Sequence, residues 1–79
     1  MSADRNLSKV LTDVLAVVPA EREVLRFELE HVRENLPYAA PEMLGMCWRT
    51  VARVLSVHVP NPTTPWERKM AEIFTGRAA

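Results

Sequence analysis

Six prolines, at positions 19, 37, 41, 60, 62 and 65, constrain this chain more than any other feature. Proline lacks a backbone N–H and its ring clashes with the preceding helical turn, so it sits at the start of a helix or outside one. The residue before it is pushed towards extended geometry. Between the prolines the apolar residues recur at three and four positions, the spacing of an amphipathic helix. The pattern predicts an all-α fold of four helices over about residues 7–18, 20–36, 41–58 and 65–75.

In the first segment Leu7, Val10, Leu11, Val14, Leu15 and Val18 form one stripe, with Asn6 or Ser8 placed to cap it and Pro19 to stop it. The second opens at Pro19 with acidic residues at 21 and 23, which suit a helix N-terminus. At about 100° per residue, Leu25, Leu29, Val32 and Leu36 share one face. Val24, Phe27 and His31 form a second patch beside it, with Glu28 between the two. Arg22, Arg26, Glu30 and Arg33 occupy the far side. In the third segment Leu44, Cys47, Trp48, Val51, Val54, Leu55 and His58 make the stripe, and Met43, Met46 and Val57 widen it beyond half the circumference. A helix so broadly apolar is normally central, so the expected architecture is a small four-helix array packed round the third helix. "VPNPTTPW" is a stiff connector. "TPWE" then combines a capping threonine, a first-turn proline and an acid three residues on, and Gly76 is placed to end the last helix.

At 79 residues the chain is one small domain with a limited core. Such a core leaves roughly 3–5 kcal/mol unless something staples it. One cysteine excludes an intramolecular disulfide, so the expected staple is a second copy of the chain. Ten basic residues balance ten acidic ones, which provides no global field towards nucleic acid or an anionic membrane. Asp4 and Asp13 interrupt the N-terminal region, making it a poor secretory signal, and no uncharged run is a continuous helix of spanning length. The expected location is the cytoplasm, with a reduced thiol.

The stretch "MLGMCWR", residues 43–49, gathers soft ligands beside an aromatic ring. Met43 and Cys47 are one turn apart, but no third donor is spaced to complete a shell, and no metal or other cofactor is expected. Cys47 shares the stripe of Leu44, Val51 and Val54, which reads as core packing. His31 and His58 lack a nucleophile at a supporting spacing, and two isolated glycines exclude a phosphate loop. A catalytic role is therefore not expected.

Two functions remain. In the first, Val24, Phe27 and His31 are an aromatic-anchored surface for another protein, a homodimer partner included. The chain would then be an adaptor, assembly factor or inhibitor, a regulator of the size that phages and mobile elements encode. In the second, helices two and three act as a dimeric helix-turn-helix regulator, with Arg49, Arg53 and Arg77 facing nucleic acid. Glu42 on the same strip and the neutral total charge weigh against the second.

Overall fold

The computed structural model describes residues 6–76. Four helices account for most of them: α1 (Leu7–Val17), α2 (Glu23–Asn35), α3 (Leu44–His58) and α4 (Pro65–Thr75). No strand occurs among the described residues.

Local chemistry sets each boundary. The Asn6 side chain accepts from the Lys9 amide at 3.2 Å and so caps α1. At the other end Val18, ahead of Pro19, has turned to extended geometry with ψ 128°. The expected start of the second helix at residue 20 is corrected to Glu23. Residues 19–22 instead form a tight turn in which the Arg22 amide donates to the Pro19 carbonyl at 3.1 Å. This turn swings the chain round before α2 begins. The expected third helix from Pro41 is also modified: its first turn, Pro41–Met43, is a 3-10 turn that runs into α3. A second 3-10 turn, Leu36–Tyr38, closes α2. α4 starts and stops as its sequence suggests, ending on Gly76 in the left-handed region at φ 77°.

The helices pair α1 with α4 and α2 with α3, and α1 also packs on α2. The molecule measures 34 × 30 × 19 Å. At about 10 Å per helix, the short dimension holds only two layers. Leu7, Val10, Leu11, Val14, Leu15 and Val18 are all buried between them, joined by Leu25, Leu29, Val51, Leu55, Val59 and Met70. The all-α, four-helix array thus matches the sequence pattern, but its most enclosed helix is α1 rather than α3. In α3 only Val51 and Leu55 are fully buried, while Met43, Leu44, Met46 and Val57 face outward. A two-layer slab covers a helix from one side, so α3 presents more apolar surface than its neighbours can reach. Trp48 meets Phe74 with ring centroids 5.6 Å apart, tying α3 to α4.

Two arginines at the start of α2, Arg22 just before it and Arg26 in its first turn, fasten the layers together. Arg26 donates through one nitrogen to the carbonyls of Leu15 and Val18, at 2.9 and 2.8 Å. Those carbonyls lie at the C-terminus of α1, where the helix leaves acceptors unpaired and the dipole favours a cation. Arg22 donates to the carbonyl of His58 at the end of α3, at 3.1 Å, and its guanidinium lies over the Trp66 ring at 5.4 Å. Both residues belong to the face that the sequence reading treats as solvated.

Replacing Arg26 by Met keeps the apolar stem and removes both bonds. The expected loss is about 2 kcal/mol, from the usual worth of charge-assisted bonds, measurable by urea denaturation. Arg26→Lys is expected to recover less than half, since an ammonium lacks the reach and the planar fork. A second test concerns α4. The Glu67 carboxylate accepts from the amides of Thr64 and Thr63, each at 2.9 Å, and these bonds hold its pKa at about 2. A lowered folded-state pKa adds stability above the unfolded value of about 4.5 that disappears as pH falls towards 2. The wild type is therefore expected to exceed Glu67→Gln in stability at neutral pH, the two melting curves converging across that acid window.

Candidate protein-binding surface

The outer side of the α2–α3 pair is built from residues that the layer arrangement leaves uncovered. Val24 and Phe27 are 61% and 66% exposed, and His31 is exposed beside them. Neither α1 nor α4 reaches this side of α2. The Phe27 and His31 rings stack with centroids 6.2 Å apart and planes 17° from parallel. The three residues singled out in the sequence therefore do form one exposed patch.

The helices flanking the patch run antiparallel. Glu28 lies level with His58, their side chains 3.1 Å apart. Further along, His31, Val32 and Asn35 of α2 share a cleft of about 340 Å³ with Met43, Cys47 and Thr50 of α3. Tyr38 and Ala39 close its end. On the α3 side Met43, Met46 and Val57 are exposed and line the same outer face. The exposed apolar residues thus lie on both α2 and α3, beyond Val24, Phe27 and His31 alone. Its α3 half was missed as a surface because a broad apolar circumference reads as central. The signal was present all the same: an α3 stripe wider than three small neighbours can cover.

The other candidates fall as follows. Cys47 is half-buried on the wall of the cleft, a shallower place than the core position expected. The cause is the outward position of the N-terminal part of α3, where Met43, Leu44 and Met46 are all exposed. Among the described residues no three histidine, cysteine or acidic side chains gather as a metal site would require. His58 is engaged by Glu28 across the helix pair, and its carbonyl by Arg22. Arg49 and Arg53 are exposed one turn apart on α3, as a nucleic-acid-facing strip requires. The α2–α3 connection, residues 36–43, is two 3-10 turns, longer than the short turn of a helix-turn-helix. Arg77 lies outside the described residues. No helix among the described residues is long and apolar enough to cross a membrane.

The sidedness of α2 has a direct test. Phe27→Ala is expected to change stability by no more than about 0.5 kcal/mol, as for other exposed sites. Leu25→Ala, two residues away and 1% exposed, is expected to cost about 2–5 kcal/mol from the cavity it leaves. Thermal or chemical denaturation of the two variants measures the contrast. Comparison with protein-family models, with curated proteins and with solved structures finds no match.

Proposed function

We propose that this chain is a protein-interaction module that docks the outer face of the α2–α3 pair on a protein partner. The observation carrying this reading is the continuous exposure of Val24, Phe27, Met43, Met46 and Val57 on one side of a chain that buries its other apolar stripes. Contiguous exposed apolar surface on a small soluble-sized fold marks a site of association. Its composition fits as well: an aromatic and two methionines are residue types enriched at interfaces, and methionine adapts its shape to what it meets.

In mechanism, the module works by occlusion or bridging. The Phe27 ring, already stacked on His31, supplies a rigid anchor that loses little entropy on docking. The cleft beside it takes an apolar side chain from the partner, and the charged residues around the face set orientation. Nothing in this scheme calls for a cofactor, and the function is regulatory or structural rather than catalytic. An adaptor, an assembly factor and an inhibitor all use such a surface.

Phe27→Asp tests the proposal. A charge at the centre of the face is expected to weaken association at least a hundredfold, measured by calorimetry or by light scattering. The helical circular dichroism should stay unchanged because the position is exposed. An association constant equal to that of the wild type rules this face out.

A further inference from the structure

Within α2 and α3 the charges bordering the outer face are sorted by helix. On α2 the positions just beyond Phe27 carry Glu23, Glu30 and Glu34, whereas Arg26 and Arg33 point to the α1 side, with Arg33 reaching Thr12 at 3.4 Å. Arg22 turns to the His58 carbonyl and the Trp66 ring, and Glu30 also pairs with Arg26 at 3.6 Å. On α3 the corresponding border carries Arg49 and Arg53, both exposed, beyond Met46. The face is therefore an apolar strip with an acidic edge along α2 and a basic edge along α3. Glu42, at the 3-10 turn before α3, stands at the end of the basic edge.

Building on the reading above, we infer that the occupant of this face is a second copy of the chain, related by a two-fold axis parallel to α2 and α3, so that α2 of each copy lies over α3 of the other. A two-fold axis in the interface plane but perpendicular to the helices stacks α2 on α2 and sets acidic edge against acidic edge. The parallel axis sets each acidic edge against a basic one. A like-charge border is strongly disfavoured, so the sorting of charge selects between the two.

Register supports the match. Glu28 stands level with His58, and Val32 and Asn35 share their cleft with Thr50 and Cys47. Extending the Glu28–His58 register antiparallel places Glu34 within one helical turn of the level of Arg49, Glu30 within one turn of Arg53 and Phe27 within one turn of Val57. A rotation about an axis parallel to the helices preserves these levels. Glu34 of one copy then meets Arg49 of the other, Glu30 meets Arg53, and Phe27 rests on Val57, each contact occurring twice. The result is a four-helix interface with an apolar seam and charged borders, as isologous dimers require. Two helices of about 20 Å length and 10 Å diameter offer a face of about 400 Å² in projection, smaller than the roughly 800 Å² per partner of a standard interface, so the expected dimer is a weak one.

The test uses the full chain, with light scattering and analytical ultracentrifugation across concentration. The wild type is expected to be a dimer that weakens with salt. Glu34→Arg alone and Arg49→Glu alone are each expected to raise the dimer dissociation constant at least tenfold. An equimolar mixture of the two variants should restore a heterodimer, because each acidic edge then faces a basic one. The double variant carrying both changes should also dimerise; a stacking of α2 on α2 predicts instead that Glu34→Arg alone strengthens association. Both positions are exposed, so the variants should keep their helicity. A chain that stays monomeric at millimolar concentration overturns the second-copy inference, leaving a different protein partner for the same face. A dimer insensitive to Phe27→Asp overturns the reading of the face itself. A dimer lost with Phe27→Asp but indifferent to both charge reversals keeps the face and overturns this arrangement.

Discussion

The fold depends on where two arginines of α2 place their guanidinium groups. Helices α1 and α3 both end two residues before a proline, so neither can run on to satisfy its last carbonyls. Arg26 takes two of those at the end of α1 and Arg22 takes one at the end of α3. One short turn of α2 thereby fixes the C-terminal ends of two other helices. In a domain this small no large core overrides a misplaced end, and Trp66 against Arg22 extends the same joint towards α4.

That joint leaves the molecule as two layers, and two layers have two outer surfaces. On the α1 side the valines and leucines all turn inward, with Lys9 and Asp13 paired on the outside at 2.9 Å. The α2–α3 side is different, because α3 carries apolar residues around most of its circumference. Layer geometry therefore concentrates the uncovered apolar surface on one face. Its acidic and basic borders are consequences of the same sidedness: the α2 arginines are drawn inward as caps, which leaves the glutamates to line the outer edge.

Helix number and punctuation were legible in the sequence because proline and glycine act locally. The capping residues Asn6 and Glu67, the stop at Gly76 and the inward stripes of α1 and α2 all follow from neighbours within four positions. The Phe27 patch was legible for the same reason. What was not legible depends on contacts distant in sequence. Arg22 and Arg26 look like solvated residues until the ends of α1 and α3 are brought beside them. The third helix looks central until its neighbours are seen to cover only Val51 and Leu55 completely. The tight turn at residues 19–22 hid behind a proline that serves equally well as a helix start.

The arginine joint has a consequence for how such a protein changes over generations. The groups that hold the helices in place and the groups that form the outer face are separate sets of side chains. Val24, Phe27, Met46 and Val57 contribute almost nothing to the enclosed core, so their replacement tests recognition without threatening the fold. A lineage carrying this scaffold is free to rewrite whom it binds one surface residue at a time, while Arg22, Arg26 and the α1 stripe stay under the stricter selection of stability.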